Sequence, residues 1–120
     1  MKKDNQVAEK SKAFAIRIIR LYKYLTTDKK EGILSKRILR SGTSIGANVR
    51  EAISAQSKAD FIAKMHIALK ETSETEYWLE LLEETEYISE EAGKSLHADC
   101  KELLKMITAI LKTIKDNSAC

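Results

Sequence analysis

Proline is absent from all 120 residues. That omission confines the chain more than any motif in it, because proline is the residue that removes an amide donor and breaks a helical ladder. Glycine, the next strongest breaker, occurs four times. The remainder is rich in Ala, Leu, Ile, Lys and Glu, whose side chains lose little rotamer freedom in a helix. No stretch of β-branched and aromatic residues alternates between turn clusters, so no strand is predicted. The fold class is therefore all-α, and a chain of this length suits one domain spanning 1–120 around a single core.

Apolar periodicity divides the chain into four helical segments. The first runs from about Asn5 to Thr26, with Val7, Ser11, Phe14, Ile18, Leu21 and Leu25 repeating at alternating spacings of four and three. Thr27–Lys30 is a short polar turn, and short turns make consecutive helices antiparallel neighbours. The second helix is predicted from about Gly32 to Ala55. It carries one stripe of Leu34, Ile38, Ser41, Ile45, Asn48 and Ala52, and an adjacent one of Leu39, Gly42, Gly46, Val49 and Ile53. Gly42 and Gly46 each cost the helix about 1 kcal/mol relative to alanine, which a close approach by a neighbouring backbone would offset. Ser57 or Asp60 caps the third helix, which continues to about Glu86 with a seam of Phe61, Met65, Ala68, Thr72, Thr75, Leu79 and Leu82. Ser89 caps the fourth, where Glu90 and Glu91 suit the positive helix end. Its seam is Ala92, Leu96, Cys100, Leu103, Ile107, Ile110 and Ile114, widened by Met106 and Leu111. Together these predict an antiparallel up-down four-helix bundle.

Some apolar residues do not fit one four-helix core. Ile67, Trp78 and Leu81 lie opposite the third helix's seam, with Glu74 among them, and Ile16 and Ile19 lie off the first. With Leu39, Val49 and Ile53 of the second stripe, they form the candidate oligomer interface. Self-association is the simplest use for such faces.

Chemistry is poorly served. A di-metal carboxylate bundle needs Glu three residues before His on two helices, but Ala63 and Lys94 occupy those places before His66 and His97. No Cys-x-x-Cys or His-x-x-x-His pair offers a zinc site. His66 reads as a helix-surface residue and His97 as a neighbour of the fourth seam. Glu71, Glu74, Glu76 and Glu80 fan over several helix faces, so no paired catalytic carboxylates are predicted. Ser41–Gly46 could be read as a phosphate-cradling loop, but it lacks the Gly-Lys-Ser/Thr ending and a preceding strand. Glu74 and Asn48 need polar partners and read as structural. Neither a metal, a cofactor, a small-molecule substrate nor an enzymatic activity is expected. No run approaches the ~18 apolar residues that span a bilayer. The polar start and the two cysteines, Cys100 and Cys120, suit a cytoplasmic protein with reduced thiols and no membrane partner.

Charge is the informative oddity. Through Lys70 there are 16 basic residues against 6 acidic, a net of +10, and from Glu71 onward 5 against 12, a net of −7, which together give the chain's +3. Lys36, Arg40 and Arg50 share one face of the second helix. Lys10, Arg17 and Arg20 share an arc of the first with Tyr24. These six are the candidate contacts to the phosphates of RNA or DNA, read by shape and charge rather than base sequence. The competing expectation is a structural or protein-binding adaptor, whose basic half is neutralised by the acidic half of a neighbouring copy, through residues such as Glu80, Glu83 and Glu84.

The run Leu39–Ala52, with its Ser-x-Gly-Ala-Asn-x-x-Glu core at Ser44–Glu51, is distinctive. Asp60-Phe61-Ile62, Ile67-Ala68-Leu69 and Ser73-Glu74-Thr75-Glu76 follow it. In that order they resemble the bacterial four-helix-bundle family of 23S rRNA intervening sequences, also labelled S23 ribosomal protein, over nearly the whole chain. The resemblance implies a homo-oligomer, a five-fold ring of bundles, and matches Asn48, Glu51 and Glu74 to the family's polar positions. It also implies distant similarity to the accessory protein of diversity-generating retroelements, a basic pentamer that binds nucleic acid and a reverse transcriptase. Ala52, where many relatives have glycine, and Lys70-Glu71, where many have Gly-Ser, depart from the pattern and are expected on helix surfaces. The acidic C-terminal half sets the chain apart from the basic retroelement accessory protein.

Overall fold

The computed structural model describes residues 2–118, with side-chain environments over 5–116. Four helices follow one another: α1 (Lys2–Thr27), α2 (Leu34–Ile53), α3 (Lys58–Glu84) and α4 (Glu90–Ser118). Each lies within a few residues of its predicted span. Their ends have local causes. The Glu31 carboxylate accepts the amides of Ile33, Leu34 and Ser35 at 3.1, 2.9 and 2.8 Å, satisfying the donors that open α2. Ser57 accepts the Asp60 amide at 3.1 Å to start α3, and Ser89 accepts that of Ala92 at 3.0 Å to start α4. At the end of α3, Glu86 takes a left-handed φ of 66°. Its amide donates to the Glu83 carbonyl, and the Tyr87 amide to that of Leu82. This is a Schellman closure built on a glutamate where glycine is usual.

α1 packs on α2 and α4, and α3 packs on the same two. Among the described residues neither diagonal pair touches. Cross-helix contacts run in opposite directions at every seam. Ser11 lies on Gly46 and Ile18 on Gly42; Ser41 meets Thr75; Thr72 meets Cys100; Lys10 meets Glu102 and Arg17 meets Asp99. The result is an antiparallel up-down four-helix bundle, 51 Å long and 22 × 20 Å across.

The core is the predicted seam. Phe14, Ile18, Leu25, Ile38, Ile45, Met65, Leu79, Leu82, Leu103 and Ile107 are fully buried, each contributing about 1.5–3 kcal/mol on area bookkeeping. Small residues set the spacing at the α1–α2 seam. A Cβ added to Gly42 would stand 2.8 and 2.9 Å from the two γ carbons of Ile18, so α1 sits where only a glycine leaves room. At Gly46 the nearest atoms, on Ser11, would be 3.3–3.4 Å away.

Several expectations need correcting. Val49 is 0 % exposed and belongs to the chain's own core, so it is unavailable to a second copy. Its stripe turns inward because α2 is sandwiched between α1 and α3. Ala52 and Glu71, expected on helix surfaces, are 1 % and 6 % exposed. In the other direction, Ala92 of the α4 seam is exposed and Asn48 of the α2 seam is half-buried. Asn48 satisfies its amide within its own helix, donating to the Ser44 carbonyl at 2.8 Å, so it holds no neighbouring helix in register. Ser41–Gly46 lies inside α2 and is no loop. Cys120 lies outside the described residues.

Candidate functional site

The six candidate basic residues separate into two groups. Three are engaged by acidic residues of the helix beside them. The Lys10 ammonium is 2.8 Å from Glu102. Arg17 donates to Asp99 at 2.6 Å and to the Ser95 hydroxyl at 3.0 Å. Arg40 donates to Glu71 at 2.7 Å and also to Glu74. Arg20, Lys36 and Arg50 are exposed, with no acidic partner among the described residues. The first group therefore stitches the basic α1–α2 side of the bundle to the acidic α3–α4 side. Within one chain, Glu80, Glu83 and Glu84 are not among the partners of the candidates; whether they pair with a neighbouring copy is a property of the assembly.

Arg40 is the centre of a cluster at the α2–α3 seam. Its side chain is 57 % exposed, yet it covers the buried Glu71. Hydrogen bonding to Glu71 above all holds the guanidinium charged, raising it beyond its ordinary range against the opposing effect of burial. Burial tends to raise Glu74, but the Trp78 indole, Arg40 and the Lys70 charge outweigh it and hold that carboxyl below the usual range. The Trp78 Nε1–H donates to Glu74 at 3.2 Å. Arg37 lies over the Trp78 ring, 5.7 Å from its centroid, and Tyr77 packs at 5.2 Å with a tilted ring. Glu74 thus has the partners its apolar surroundings demand. Arg37 was not among the candidates, although its place three residues before Arg40 was a usable signal.

The apolar candidates are likewise unequal. Ile16 and Ile19 on α1 are each 40 % exposed and Ile67 on α3 is 42 % exposed. Ile53 is exposed at the very end of α2. Leu39 and Trp78 are partly buried against the core, and Leu81 is half-buried. Ile16 and Ile19 sit on the same helix as the free Arg20, while Glu51 of the family motif lies 3.8 Å from Lys64 of α3.

The four glutamates of α3 divide by face. Glu71 and Glu74 turn to α2, whereas Glu76 and Glu80 turn to α4, where His97 stands 2.9 and 4.0 Å from them. The sequence offered the i,i+4 spacing of Glu76 and Glu80, but not the register that sets His97 opposite. Cys100 donates to the Thr72 carbonyl at 3.3 Å, and burial, then Glu76 and Asp99, push its thiol up to about 12. At that value it is a packing residue rather than a nucleophile. His66 is exposed. No helix is long and apolar enough to cross a membrane among the described residues.

No curated protein matches the chain. Among solved structures, it is similar to a protein of unknown function from the S23 ribosomal protein family of Bacteroides thetaiotaomicron. The two share 59 % identity over 92 % of this chain and 98 % of that one, with a TM-score of 0.90. The family model of the 23S rRNA-intervening sequence protein matches residues 3–109, which takes in all of α2 and α3 and most of α1 and α4, and the chain belongs to that family.

Proposed function

We propose that the protein is a non-enzymatic association module that assembles from identical copies and binds RNA or DNA on the outer basic face of α2. The observation that carries this reading is the charge run of α2. Between Glu31 and Glu51 the sequence holds Lys36, Arg37, Arg40 and Arg50 and no acidic residue. Lys36 and Arg50 have no acidic partner among the described residues, and Arg20 adds a third free cation from α1. Arg40 has a different role. It is bound to Glu71 and Glu74, so it supports the surface and does not head the list of phosphate contacts. Assembly draws support from the exposed Ile16, Ile19 and Ile67, for which the monomer has no use.

The test is fluorescence anisotropy with labelled RNA and DNA across a salt series, with mass by light scattering. A pentamer of the 13.6 kDa chain would weigh 5 × 13.6, about 68 kDa. Lys36→Glu and Arg50→Glu should each weaken binding several-fold for all sequences and flatten the salt dependence by about one charge. Absence of binding at low salt from an intact assembly would leave the rival reading, a protein-binding adaptor working through the same isoleucines.

A further inference from the structure

We propose that Glu76, Glu80 and His97 form a site for a divalent transition ion of the zinc type in the groove between α3 and α4. One ligand atom from each residue lies within 4.8 Å of the other two. His97 Nε2 is 2.9 Å from Glu76 Oε2 and 4.0 Å from Glu80 Oε1. Three such atoms bound tetrahedrally at ~2.0–2.2 Å stand about 3.3–3.6 Å apart. Side-chain rotations that open the first separation and close the second would draw the three toward one ion. The scaffold is a packed helix pair: two carboxylates one turn apart on α3 and an imidazole on the antiparallel α4, close to the buried Cys100–Thr72 contact.

Charge favours a cation independently of donor geometry. The site opens on a cavity of about 630 Å³ lined by Glu80, Glu83, Glu84 and Glu102 against Lys94, Lys101 and Lys105. Glu102 is paired with Lys10 at 2.8 Å and Lys94 with Glu90 at 2.5 Å, so with Glu76 four carboxylates stand against two lysines, a local −2. A divalent ion neutralises that excess. The cavity side leaves a coordination position open to water. One imidazole with two carboxylates suits zinc better than magnesium or calcium, which take oxygen ligands in larger number. Coordination would use the unprotonated Nε2 of His97, as for any metal-bound imidazole.

The experiment is isothermal titration of the full-length chain with zinc chloride, in a Cys120→Ser background so that the terminal thiol does not compete. The expected result is one ion per chain, with His97→Gln and Glu80→Gln each weakening affinity by about tenfold or more. His66→Ala should leave it unchanged, and magnesium chloride should give no heat of binding. The Gln variants keep size and hydrogen bonding, and circular dichroism melts verify that they fold. Failure to saturate below about 100 μM zinc, or equal affinity in His97→Gln, or loss of binding in His66→Ala, overturns the site.

Discussion

Arg40→Ala should destabilise the bundle while Lys36→Ala and Arg50→Ala do not, although all three were equivalent as basic residues on one helix face. The difference is Glu71, whose side chain is 9 % exposed and faces Arg40 at 2.7 Å. Removing one partner of a buried ion pair costs about 3–5 kcal/mol, because the remaining charge is stranded away from water. Here the cost falls below that scale, since the Arg40 side chain is 57 % exposed and water enters the space it vacates. About 2 kcal/mol is the working figure for Glu71. The more open bridge to Glu74 adds no more than about 1 kcal/mol. A total of 2–3 kcal/mol lowers the melting temperature by roughly 8–12 °C for a chain of this size. Circular dichroism melts in parallel with urea titration measure it. Arg40→Ala combined with Glu71→Gln removes the stranded charge and should recover about 1–2 kcal/mol of the loss, a coupling that a double-mutant cycle isolates. If Arg40→Ala melts within 2 °C of the parent, or if the double variant is fully additive, the argument from the buried carboxylate fails.

Two further outcomes test the helix seams and ends. Gly42→Ala puts a Cβ within 3.2 Å of Ile18 Cβ as well as close to both γ carbons, so overpacking of about 2–3 kcal/mol outweighs the ~1 kcal/mol gain in helix propensity. Gly46→Ala, with contacts no closer than 3.3 Å, should stay within about 0.5 kcal/mol of the parent; equal stability of the two variants by urea titration would contradict the close approach of α1. Glu31→Ala removes an acceptor of three α2 amides and should cost about 1 kcal/mol. Burial tends to raise the Glu31 carboxyl, but the amides of Leu34, Ser35 and Ile33 prevail and hold it below its ordinary 4.5. Its contribution is therefore complete above that ordinary value and is lost as pH falls through the lower folded value. Acid titration of stability should show a smaller drop in Glu31→Ala than in the parent.

The helices, their number and the inward stripe of each were legible in the sequence, because helix propensity and a spacing of three and four are local properties. So was the cap at Ser89, and of the two residues offered for α3 the structure uses Ser57, each side chain acting on an amide three residues away. Glu31 was missed as a cap because glutamate is not a usual residue for that task. What the sequence could not decide is what stands across each seam. Lys36, Arg40 and Arg50 repeat on one face by the same rule of periodicity, yet only the register of α3 brings Glu71 and Glu74 to Arg40 and leaves the other two free. Val49 and Ile53 belong to one stripe, but the first is sealed by α1 and α3 while the second lies at the helix end. Glu76 and Glu80 became neighbours of His97 through the antiparallel pairing of α3 and α4, across a separation that no motif spans. Local spacing determined which residues share a face, whereas the long-range packing of one helix against another determined which of those faces remain open, because burial and charge pairing depend on atoms far away in the chain.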